Sequence, residues 1–186
     1  MLSSAVLVLA LTVAAGQGEG PAPNYENLKC YEALIGTWCY DGPLLEETPE
    51  AKKGSPFVAR MSFAWILNKG AIEVTWKVKY EAGIETTGKS LHGWDPKERR
   101  LVIGGMDSLG ALHLGTVAYD SATKTWTLDL KGVSPSGDDT STTITNTLPN
   151  PDTLVWQAKE RRGSVPAGQS PQYHFKRQKL QTQAPQ

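Results

Sequence analysis

Ile72-Glu73-Val74-Thr75-Trp76-Lys77-Val78-Lys79-Tyr80-Glu81 alternates apolar and polar side chains without a break. A period of two places Ile72, Val74, Trp76, Val78 and Tyr80 on one face of an extended strand and sends the charged residues to the other. Just upstream, Phe57, Ala59, Met61, Phe63, Trp65 and Leu67 share one face of a second run, and Asn68-Lys69-Gly70 between the two predicts a hairpin. Working outward, the same pattern predicts strands near 84–94, 100–106, 112–119, 124–130, 141–148, 153–159 and 172–177, with a first strand opening at Gly36. Asp95-Pro96, Asp107-Ser108-Leu109-Gly110, Asp120-Ser121, Pro135-Ser136-Gly137-Asp138 and Pro149-Asn150-Pro151-Asp152 separate them with residues that favour turns. Nine or ten consecutive strands on short links cannot lie flat without long exposed edges. The expectation is therefore all-β: an antiparallel up-and-down barrel, with a sandwich as the alternative. No helix-length crossover separates the strands, which disfavours a parallel sheet.

Ahead of this array, Asn24 is positioned to cap a short helix carrying Asn27, Leu28, Tyr31, Leu34 and Ile35 on one stripe, and Gly36 is a natural stop. Residues 5–15 form an apolar stretch broken only by Thr12 and followed by small residues, as in a signal peptide, and too short to span a bilayer. The expected organisation is a leader at 1–15, a linker at 16–23, a barrel domain at 24–177 and a disordered polar tail at 178–186. The expected location is secreted or periplasmic. In an oxidising compartment Cys30 and Cys39 are expected to form a disulfide, stabilising by roughly 2–3 kcal/mol; the alternative is two free buried thiols.

Of 186 residues, 39% are hydrophobic, enough for one core, and the turn formers Gly (18) and Pro (12) are plentiful. Nineteen Lys and Arg balance nineteen Asp and Glu, so no net field attracts nucleic acid or an anionic membrane surface. Outside the leader no apolar run is long enough for a membrane span.

Gly83-Ile84-Glu85-Thr86-Thr87-Gly88-Lys89-Ser90 matches the phosphate-loop pattern, but a strand ending in Gly93-Trp94-Asp95-Pro96 follows it. Phosphate binding there needs a helix N-terminus, so Lys89 reads as a solvent-facing strand residue. Ser90, His92 or His113, and Asp107 are the residue types of a hydrolytic triad, but nothing in their spacing brings them together. No catalytic residue is assigned. His92, His113 and His174 lie far apart without thiols or carboxylates at ligand spacing, so no metal site is assigned either. One axial histidine would suffice for haem. In the last strand Tyr173 and Phe175 should face inward and turn His174 outward, leaving His92 or His113 as the inward imidazole.

Trp38, Trp65, Trp76, Trp94, Trp126 and Trp156 fall in or at the ends of expected strands, on one enclosed face. Packing alone explains such a set. A ten-stranded barrel is, however, wider than its side chains need, leaving room for a small apolar guest with Trp65, Trp76, Trp94, Trp156 and His92 as lumen walls. The alternative is a structural or interaction domain with a filled core, in which Val58, Ala64 and Ile66 form a docking patch for a protein partner. The acidic insert at 44–53 is either a lid or a long loop.

Gly36-Thr37-Trp38 after a short helix resembles the G-x-W opening of lipocalins and their calycin relatives. Residues 31–177 resemble a bacterial exported family of unknown function with a lipocalin-like barrel. The likeness rests on Trp65 to Gly70 (W-I-L-N-K-G), Gly88, Gly93-Trp94-Asp95-Pro96, Asp107-Ser108-x-Gly110, Gly115, Trp126, Asp152-Thr153, Trp156 and Phe175-x-Arg177. It implies that Arg177 packs over Trp38 at one barrel end as a cation–π contact. It implies a fold and leaves activity open. Nitrobindin-like haem barrels are another ten-stranded calycin branch, but here the final strand has no inward histidine.

Overall fold

The computed structural model describes residues 20–81, 83–162 and 168–179. The leader at 1–15, the first part of the linker and the tail from 180 onward lie outside the described residues.

Ten antiparallel strands follow in order: β1 (Gly36–Pro43), β2 (Pro56–Ile66), β3 (Ala71–Tyr80), β4 (Glu85–Asp95), β5 (Arg100–Asp107), β6 (Leu112–Asp120), β7 (Thr125–Val133), β8 (Asp139–Asn150), β9 (Thr153–Arg162) and β10 (Tyr173–Arg177). Each pairs with its sequence neighbours, and β1 pairs with both β2 and β10, so the sheet closes on itself. Closure removes the edges that a ten-strand meander would otherwise expose. The residues that decide the fold behave as their alternation requires: Ile72 and Val74 are buried, while Lys77 and Lys79 are exposed. Lys89 faces solvent on β4 and pairs with Glu73 at 2.8 Å.

The β2–β3 turn needs the left-handed backbone at Leu67, Asn68 and Lys69, with φ between 49° and 62°. It is held by Gly70 N–H donating to Leu67 O at 2.9 Å. One end of the barrel is plugged by a helical turn, α1 (Tyr25–Leu28), running into a 3-10 turn at Lys29–Ala33. The helix is shorter than its stripe suggests, and Asn24 does not cap it. Asn24 Nδ2 instead donates to Gly70 O at 2.9 Å, tying the plug to the β2–β3 turn.

Leu28, Tyr31 and Leu34 of this plug are buried with Trp38 and Trp126. Arg177, at the end of β10, seals the plug from outside. Its guanidinium lies 4.1 Å from the centre of a Trp38 ring. It donates from Nη1 to Ile35 O (2.7 Å), from Nη2 to Ala33 O (2.6 Å) and from Nε to Pro151 O (2.9 Å). Trp38 Nε1 in turn donates to Leu34 O at 2.8 Å.

The expected disulfide is absent, and both cysteines are free. The reason is strand parity. Trp38 is buried and faces inward, so Cys39 faces outward between Lys176 of β10 and Arg60 of β2 in the ladder. Cys30 belongs to the inner plug, packed against the core, where burial raises its thiol pKa and a hydrogen bond from the Trp126 indole partly offsets that. A bridge would have to cross the sheet.

Candidate functional site

Between the plug and the opposite end of the barrel lies a cavity of about 600 Å³. Its wall is mainly apolar, with Phe57, Met61, Val78, Leu128, Ile144 and Phe175 among its residues, contributed by five different strands. Of the expected tryptophan walls, Trp76 and Trp156 line the cavity. Trp65 and Trp94 have the inward parity but stand at the plugged end outside the lining, Trp65 at 5.5 Å from Tyr25 and Trp94 against the core. Parity is readable from alternation; height along the barrel axis is not.

Trp76 has its place because β4 carries a glycine opposite it. A Cβ on Gly88 would lie 2.0 Å from Trp76 Cζ2, so only glycine lets the indole lie flat on the neighbouring strand. His113 is seated similarly, with its Nε2 2.7 Å from where a Gly105 Cβ would be, and its ring is 5.9 Å from Trp76.

At the plugged end the lining turns polar. Ser90 and His92, two residues apart on β4, share the inward face and are both buried. Tyr31 rises from the plug to put its hydroxyl 2.9 Å from His92 Nδ1, and Ser90 Oγ is 3.1 Å from His92 Nε2. Burial pushes the Tyr31 phenol well above its ordinary pKa, so it keeps its proton. Burial, with the nearby His113 adding to it, holds the His92 imidazole down at about 3, so it is neutral near pH 7.

The hydrogen bonds of this chain have two arrangements: Tyr31 donates to Nδ1 and Nε2 donates to Ser90 Oγ, or Ser90 donates to Nε2 and Nδ1 donates to Tyr31 Oη. Held at about 3, the His92 ring is too weak a base to activate the Ser90 hydroxyl. Asp107, the acid of the considered triad, lies at the far end of β5 and acts on His113, raising a pKa that burial lowers overall.

Among the described residues, the buried Asn146 Oδ1 near the plug has no hydrogen-bond partner. Asn146 lines the cavity, is 5% exposed, and lies opposite Trp126 and Trp156 in the ladder. Sequence reasoning missed it, although Ile144, Asn146 and Leu148 at spacings of two carried the signal. The Thr-rich surroundings disguised that run as a solvent face.

The acidic insert folds over the opposite end. Leu44 is buried, its N–H donates to Ser55 O at 2.8 Å, and Leu45 N donates to Tyr173 Oη at 3.3 Å. Leu44, Glu46 and Thr48 thereby join the lining. Burial is the main cause that raises the Tyr80 phenol, with Glu50 adding to it.

A haem would need an inward imidazole with a nitrogen free toward the lumen. His174 is exposed and both His92 nitrogens are engaged, so neither meets that requirement; His113 lines the lumen beside Gly105. The Val58, Ala64 and Ile66 patch is modest, with only Ala64 fully exposed; Leu91, Met106, Leu112 and Leu114 on β4–β6 expose more apolar surface. A second hollow on the outer face of β2–β4 is lined by Lys77 and Lys89, both already in salt bridges with Glu85 and Glu73. The lumen is the candidate site.

No family model matches the sequence. No curated protein matches it either. Among solved structures, the crystal structure of Rv2717c from M. tuberculosis is similar in fold, with a TM-score of 0.59 and 16% identity. The match covers 86% of this chain and 99% of that one. A likeness at that identity establishes the closed barrel and nothing about what either protein binds.

Proposed function

We propose that this protein is an exported binding protein that holds a small, largely apolar molecule in the lumen of its barrel. The observation that carries the reading is the cavity of about 600 Å³ with an apolar wall. That volume is in the range of small-molecule sites, which are typically apolar with a few placed polar groups. Trp76 and Trp156 supply flat, rigid walls, and the 44–53 insert would shield an occupant from water. Export is supported by the apolar stretch at 5–15.

Titration with the neutral fluorophore N-phenyl-1-naphthylamine tests the lumen directly. The expected result is saturable uptake with a blue-shifted emission and quenching of tryptophan, weakened about tenfold or more by Trp156→Ala. Absence of saturable uptake would remove the reading. Unchanged affinity in Trp156→Ala would move the binding site out of the lumen.

A further inference from the structure

The inner end of the lumen presents a short polar set inside an apolar wall. Tyr31, His92 and Ser90 form a hydrogen-bonded chain that ends at the cavity. With Tyr31 donating to Nδ1, Ser90 Oγ accepts from Nε2 and its own O–H is left to donate into the cavity. Asn146 Oδ1 is the complementary case, a buried acceptor with no donor. Leaving such an atom unsatisfied in a low-dielectric interior costs about 1–3 kcal/mol, which an incoming donor recovers.

Both groups belong to the same end of the same cavity. Tyr31 touches His92 edge-on at 5.3 Å on one side and Trp126 at 6.3 Å on the other, and Trp126 is the ladder partner of Asn146. Ser90, His92 and Asn146 all line the lumen. Of the ionisable lining groups, His92 is neutral, Arg60 is exposed with the outward parity of β2, and Lys131, Glu46 and Asp107 belong to strand ends and the insert at the far end.

We propose that the Ser90 hydroxyl and the Asn146 carbonyl together select a neutral head group that both donates and accepts a hydrogen bond, a primary amide or an alcohol, on an otherwise apolar molecule. The inference rests on the lumen being the binding site. A carboxylate would bring a charge with one donor to meet it and would leave Asn146 facing an anion. An ether would leave Asn146 unpaired. An ammonium would find no charge to offset its desolvation.

The test is displacement of N-phenyl-1-naphthylamine from the full-length protein at pH 7.5 by dodecanamide, dodecan-1-ol, dodecyl methyl ether, dodecanoate and dodecylamine. These share a chain length and differ in the head. Dodecanamide or dodecan-1-ol is expected to compete about tenfold or more better than the ether, dodecanoate and dodecylamine. In Asn146→Val and in Ser90→Ala that ratio should fall to within about threefold, and taking ratios within one variant cancels any change in probe affinity. Asn146→Asp, of nearly the same shape, should shift preference toward dodecylamine. Equal displacement by all five heads, with the probe bound, overturns this inference and leaves the lumen reading standing. Failure of the probe to enter removes both. A selective wild type whose ratios survive in all three variants also overturns it, because the selection would then lie elsewhere in the lumen.

Discussion

The guanidinium of Arg177 reaches three backbone carbonyls and one tryptophan face at once, joining the last strand to the plug and to the β8–β9 turn. Arg177→Met keeps much of the aliphatic stem and loses all of those contacts, so it is expected to cost about 2–4 kcal/mol in urea unfolding. Arg177→Lys should recover less than half, because an ammonium cannot hold the fork. His92 offers a pH-dependent counterpart. Its ring pKa is about 3 in the fold, against roughly 6.5 in an unfolded chain. Above that higher value the ring is neutral in both states and contributes no slope. Below it the unfolded chain binds the proton first, so stability falls by up to about 1.4 kcal/mol per pH unit until the folded ring also titrates. The groups facing the ring are the Tyr31 and Ser90 hydroxyls and His113, which is shifted the same way. His92→Gln should flatten the fall between pH 6 and 4 in urea midpoints; an identical slope in the variant would assign the acid sensitivity to other groups. That His92 faces inward was legible from the alternation of β4. Its contact with Tyr31, 61 positions earlier in the chain, was not, because periodicity says nothing about which plug residue meets which wall.

Strand identity was legible wherever one face is buried and the other wet, as in β3, and boundaries followed to within a few residues. The helix was less so, since its short apolar stripe fits a 3-10 turn as well as an α-helix. The cysteine pair shows a different failure: nine positions of separation invited a bridge, while the inward Trp38 already implied that Cys39 points out. Pairing between elements also explains Gly88, whose absent side chain makes the seat for Trp76 on the adjacent strand. Gly88→Ala is expected to cost about 1–3 kcal/mol by forcing the indole off its rotamer, and to shift the tryptophan emission. Combined with Trp76→Leu, most of that penalty should disappear in a double-mutant cycle. An additive pair would mean that the glycine is needed for the backbone and not for the indole.

At the scale of the whole barrel, strand count and antiparallel order were legible from regular turns and short links. The cavity itself was not, because an inward tryptophan reads the same whether it fills space or borders it. Closure depends on β1 and β10, and two ladder pairs, Trp38 with Arg177 and Cys39 with Lys176, join those strands. A chain ending at residue 171 lacks β10 and leaves β1 and β9 with open edges. It is expected to show no cooperative urea transition and to aggregate, which light scattering and circular dichroism would reveal; a soluble, cooperatively unfolding fragment would show that β10 is dispensable. The same seam carries a consequence for biosynthesis. Because the strand translated last must dock beside the strand translated first, a chain still emerging from the ribosome has no complete native state to occupy until Arg177 is free. Folding of the barrel is then completed only after β10 has left the ribosome.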